Sequence, residues 1–138
     1  MSTPEAIPYR PRSVPLPTRW AARLAAWCAR LLAMLPPARI RAVLRQVRRG
    51  ARPASAAQTA AALDTVLAVS LTAGGRKGCL TRSLATVLLC RMRGQWPTWC
   101  VGVRKQPPFA AHAWVEAESE PVGEDCPAEY FQRFFAVD

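Results

Sequence analysis

The chain has 138 residues, enough for one domain with a substantial core and too few for two of ordinary size. Hydrophobic residues make up 51% and charged residues 20%, which excludes wholesale disorder, and the 13 prolines cluster at ends and joints. The net charge of +10 is unevenly placed: residues 1–78 carry 13 Lys/Arg against Glu5 and Asp64, whereas residues 79–138 carry 6 against 7 acids, so the first half attracts acidic partners and the second does not.

Residues 1–17 contain Pro4, Pro8, Pro11, Pro15 and Pro17 and read as an extended arm, since each proline removes an N–H and disfavours helix at the residue before it. Thr18 is a candidate N-cap for a helix over residues 19–35. Trp20, Leu24, Trp27, Leu31 and Met34 recur at three- and four-residue steps and form one face, expected to pack on a core. Pro36-Pro37 ends that helix. A second, over residues 38–49, has Ile40, Val43, Leu44 and Val47 on its apolar stripe with five arginines off it, and Gly50 as a stop. A third, over residues 55–71, offers Ala62, Leu63, Val66, Leu67 and Val69 for packing.

After Gly74-Gly75-Arg76-Lys77-Gly78, a helix is expected from Cys79 to Met92, with Leu80, Leu84, Val87 and Leu88 apolar and Cys79, Arg82, Ser83, Thr86 and Cys90 beside that stripe. Gly94 stops it. Residues 98–104 and 110–117 read as strands rich in tryptophan and valine, joined through Gln106-Pro107-Pro108. Period-two alternation places His112, Trp114 and Glu116 on one face and Ala113 and Val115 on the other. A third strand is expected around Val122 or over residues 134–137.

Five cysteines, Cys28, Cys79, Cys90, Cys100 and Cys126, form no C-x-x-C pair and have one histidine to assist them, which argues against a zinc site or a disulfide framework. Free thiols suggest a reducing cytoplasm. Arginines interrupt every apolar stretch, so no cleavable signal and no transmembrane run of roughly 20 residues is expected. The residues imply neither a metal nor a cofactor.

The chemistry concentrates in Cys79 and His112. A cysteine in the first turn of a helix meets unsatisfied N–H groups and the positive end of the helix dipole, both of which favour the thiolate, and Arg76 and Lys77 add to that field. A histidine within reach can hold a thiolate–imidazolium pair if a third polar group orients the ring. The base of such a pair must be His112, because the chain has no other histidine. The competing reading is a small, buried and unreactive cysteine.

The run Gly78-Cys79-Leu80-Thr81-Arg82-Ser83-Leu84-Ala85, then Gly102-Val103-Arg104, then Pro108-Phe109-Ala110-Ala111-His112-Ala113-Trp114-Val115-Glu116, resembles the transglutaminase-like B proteins of lasso-peptide biosynthesis, in their stand-alone leader-peptidase form. The resemblance covers about residues 60–138. It implies an α+β fold: a papain/transglutaminase-like core in which the cysteine-bearing helix packs on a small antiparallel sheet, preceded by a helical region. The implied division is a proline-rich arm at 1–17, a helical docking region at 18–72 and a catalytic core at 73–138. The implied activity is that of a cysteine peptidase removing the leader from a ribosomally made lasso precursor. Its partners would be that leader peptide, a small PqqD-like leader-recognition protein and an ATP-dependent lasso cyclase.

Carried over by position, Cys79 matches the nucleophile and His112 the base. The third member implied is an acid on the next strand, where Glu124 stands with Asp125 beside it; Glu124 is slightly favoured, with Asp125 the alternative. Arg82 and Ser83 match the family word and are expected to be structural, Arg82 pairing with an acid and Ser83 packing against the facing strand. Trp114 is expected as core or as a wall beside His112, with substrate contact as the rarer role.

Three rivals remain on the residues. Another acyl-transfer enzyme would pass the acyl group to an amine instead of water. A non-catalytic basic helical module would hold nucleic acid, but no helix-turn-helix spacing, aromatic RNA-binding word or zinc motif supports that partner. A membrane-surface anchor would use Trp20, Trp27 and the adjacent arginines.

Overall fold

A computed structural model describes residues 15–69, 78–105, 111–124 and 128–138. Helix α1, Leu16–Ala33, starts ahead of the Thr18 cap expected from sequence; Pro15 occupies the capping position and no side chain caps the helix. A helix's first turn needs no N–H donors, so Pro17 fits there and residues 16–17 belong to the helix instead of the arm. Residues 1–14 of the expected arm lie outside the described residues.

The sidedness of α1 is the reverse of the expectation. Its buried face is Ala22, Ala25, Ala26 and Ala29, while Trp20, Leu24, Trp27, Leu31 and Met34 face outward, both tryptophans 66% exposed and Met34 82%. Small side chains allow a neighbouring helix to approach closely, and α1 uses its alanine face to pack against helices α3 (Ala56–Val69) and α4 (Cys79–Met92).

Pro36 ends α1 and, in extended conformation, leads into α2, Pro37–Val47, which buries Ile40 and Leu44. Arg91 donates from Nε to the Val47 carbonyl (2.7 Å) and from Nη2 to that of Arg49 (3.1 Å), so a cation from α4 satisfies carbonyls at the end of α2. A two-residue strand β1, Arg52–Pro53, pairs in parallel with β2, Gln95–Trp96. Helix α3 opens with a reciprocal cap: the Gln58 N–H donates to Ser55 Oγ (3.1 Å), and the Ser55 N–H donates to Gln58 Oε1 (2.9 Å).

The main sheet is antiparallel with strand order β5-β4-β3-β6, where β3 is Thr98–Arg104, β4 Ala111–Ala117, β5 Glu120–Val122 and β6 Phe131–Val137. Both segments weighed for a third strand are therefore strands, on opposite edges. One face, with Trp99, Val115 and Val137, joins Ala22, Ala29, Val66, Leu84 and Val87 in a single core, so helices from both halves of the chain bury the same face. Trp99 spans the junction: its Nε1–H donates to Ser83 Oγ (3.0 Å) on α4, giving a buried indole the partner it needs.

At Gly102 the pairing of β3 with β6 shifts register, and a Cβ there would collide with the Gln132 carbonyl and lie 2.9 Å from Arg133 Cα. Gly102→Ala is expected to destabilise the protein by at least about 2 kcal/mol, because backbone on the neighbouring strand must move. A lowered urea midpoint at unchanged slope is the expected readout; an unchanged midpoint would show that the strand yields freely.

Candidate active site

Cys79 is the first residue of α4 and follows Gly78, which has no side chain to cap the helix. Its sulfur therefore sits beside N–H groups lacking intrahelical partners. Residues 70–77, including Arg76 and Lys77, lie outside the described residues.

Strand β4 carries His112 to Cys79. The two side chains are hydrogen-bonded, and this contact is the largest influence on the thiol: it lowers the pKa below its ordinary value of 9.0. Partial burial opposes that shift, while the Ala113 backbone N–H and the charges of His112 and Arg82 reinforce it. For the imidazole, burial is the largest influence and works against charge, but contacts with Cys79 and Glu124 together outweigh it and raise the pKa to about 9. Both shifts favour the charged pair, thiolate and imidazolium, over the neutral one.

Glu124 follows β5 and stands with Oε2 3.0 Å from His112 Nε2 and Oε1 3.8 Å from Arg82 Nη2. The carboxylate lies off the axis of a well-aligned N–H bond, although both its contact and its charge favour the imidazolium. Gly123, at φ +74°, makes the turn that brings the carboxylate in. Arg82, on the same helix as Cys79, ties the acid back to α4. Asp125 and Cys126 lie outside the described residues.

The ring of His112 is also fixed from the side. It stacks on Phe131 at 5.3 Å between centroids and 13° between planes, and on Trp114 at 5.8 Å and 14°. Trp114 is buried and donates from Nε1 to Glu116 Oε2 (2.8 Å). It is thus a wall beside the imidazole. Ser83 lies inside the core, accepting from Trp99 and donating to the Leu80 carbonyl (2.9 Å).

Phe131 and the Ala113 N–H were not anticipated from sequence. Phe131 had no readable signal because its strand is irregular and follows a single 3-10 turn, Ala128–Tyr130. On the same sheet face a cavity of about 540 Å³ is lined by residues including Thr98, Trp114, Glu116, Phe131 and Arg133; neither Cys79 nor His112 lines it. Among the described residues no group of three or more His, Cys, Asp or Glu could hold a metal. No helix among them is long and apolar enough to cross a membrane.

The other buried thiols differ in kind. Burial pushes Cys90 to about 11 and Cys100 to about 12, leaving both protonated near neutrality. Iodoacetamide is therefore expected to label Cys79 well ahead of Cys90, Cys100 and the exposed Cys28 at neutral pH. The ion pair should be lost as pH rises through about 9, where His112 deprotonates, and as pH falls through the lowered Cys79 value. The sign is fixed by linkage: His112, raised from 6.5, contributes stability that is full below 6.5 and fades as pH passes about 9. Peptide mass spectrometry of timed labelling checks this; Cys79 reacting no faster than Cys28 would contradict it.

No curated protein and no solved structure is detectably similar to this chain. A family model, that of the transglutaminase-like superfamily, matches residues 22–136, taking in most of α1 and of β6 as well as the Cys79–His112–Glu124 cluster. With nearly its whole length matched, the chain belongs to the transglutaminase-like superfamily.

Proposed function

We propose that the protein is a cysteine peptidase that removes the leader from a ribosomally synthesised lasso-peptide precursor. The observation that carries the peptidase part is the Cys79–His112–Glu124 arrangement, a nucleophile, a base and an orienting acid converging from α4, β4 and the end of β5. The lasso part rests on the sequence words around Cys79 and His112.

In this mechanism the Cys79 thiolate attacks the scissile carbonyl carbon, and the carbonyl oxygen becomes an oxyanion facing the N–H groups at the start of α4. As the tetrahedral intermediate collapses, the carbon–nitrogen bond breaks and His112 gives its proton to the leaving amine. Neutral His112 then takes a proton from water, whose oxygen attacks the thioester; the acid product leaves and the thiolate–imidazolium pair returns. Glu124 holds the ring's charge and orientation throughout, and Arg82 anchors Glu124.

A chain of this size has little room to read a long leader, so a PqqD-like recognition protein would tether the precursor and raise its effective concentration at Cys79. The arginine-rich first half is the surface offered to that protein or to an acidic leader. An ATP-dependent cyclase would then consume the freed core peptide. Turnover in heavy-oxygen water tests hydrolysis against acyl transfer. One heavy oxygen in the new carboxyl group is expected; an amide adduct without it would move the protein to the acyl-transferase reading.

A further inference from the structure

The outward face of α1 is unaccounted for by the peptidase reading. Leu16, Trp20, Leu24, Trp27, Leu31 and Met34 are all at least half exposed, and at 100° per residue they fall within an arc of about 80°, on the side opposite the alanines that pack on α3 and α4. They form a continuous apolar ridge along a helix about 27 Å long. Scattered exposed apolar residues are ordinary; six aligned on one helix are not.

The surroundings say what could cover it. Arg19, Arg23 and Arg30 are exposed along one flank of the ridge, and the Arg23 guanidinium lies over the Trp20 ring at 5.6 Å. Between Glu5 and Asp64 the chain has eleven arginines and no acidic residue. A second copy docking through the same ridge would set arginine against arginine, with no acidic residue on either copy of α1 to pair with them. Thr18 is the only side chain on α1 bearing a hydroxyl, amide or carboxylate, so the helix offers hydrogen-bond donors and apolar bulk but almost no acceptors. The matching surface is one of acceptors above hydrocarbon. Phosphate headgroups over acyl chains fit that description better than a protein rim, which mixes donors with acceptors.

We infer that α1 is an interfacial helix that seats the protein on an anionic lipid surface, with Trp20 and Trp27 in the headgroup–acyl boundary and the arginines on the phosphates. The ridge lies on the membrane without spanning it. This docking does not depend on the peptidase assignment.

Co-sedimentation of the full chain with vesicles tests it, using equimolar phosphatidylcholine and phosphatidylglycerol in one arm and phosphatidylcholine alone in the other. The wild type is expected to pellet with the anionic vesicles, with a blue shift in tryptophan emission, and to do so less as salt rises. The double variant Trp20→Ser/Trp27→Ser removes no core contact and should keep the native circular dichroism while partitioning at least about tenfold less. Cys79→Ala should bind as the wild type does. A wild type left in the supernatant, or a double variant that pellets undiminished, would overturn the inference. So would a double variant that loses affinity for an acidic protein partner while its vesicle binding is unchanged.

Discussion

Cys79→Ala is expected to abolish turnover, by at least about 10⁴-fold, while changing stability by no more than about 1 kcal/mol. At the start of α4 it is Cys79 that contacts His112, whereas Ser83 is held between Trp99 and the Leu80 carbonyl. The same substitution has a second readout. His112 owes part of its raised pKa to Cys79, so the imidazole should titrate below about 9 in the variant. With one histidine in the chain, its ring proton resonances give that titration without assignment. An unchanged histidine titration would mean that Cys79 and His112 do not interact.

Glu124→Gln is expected to lower kcat/KM by about 10²- to 10⁴-fold, because the ring loses the charge that stabilises imidazolium, while a similar shape is kept. The His112 pKa should fall from about 9. Arg82, buried and with its Nη2 3.8 Å from the carboxylate, is left with a neutral neighbour, and a stability loss of about 1–3 kcal/mol is expected. Steady-state kinetics with a histidine titration separates orientation from simple unfolding: a folded variant with normal kcat/KM would remove Glu124 from the mechanism. Asp125→Asn should leave the rate unchanged.

Much of the fold around the site was readable because local signals agreed. Helix α4 runs from Cys79 to Met92 as its glycine-bounded apolar pattern predicts, and the tryptophan- and valine-rich runs are β3 and β4. The faces of β4 follow from alternation alone. What escaped had physical reasons. Periodicity shows that α1 has two faces but does not say which turns inward, and close packing against α4 favours the alanine face over the bulkier one. The β1–β2 ladder is two residues long, too short to leave a pattern. The placement of Glu124 depends on a positive-φ turn at Gly123, which a sequence permits without requiring. The family match carries the superfamily alone, and the proposed substrate rests on the sequence words around Cys79 and His112.

The most direct measurement is mass spectrometry of a candidate precursor incubated with this protein, with and without the leader-recognition protein, comparing wild type with Cys79→Ala. One cut at the leader–core junction is expected, dependent on the recognition protein and absent with the variant. An intact precursor under every condition, with the recognition protein shown to bind, or equal cleavage by Cys79→Ala, would contradict it.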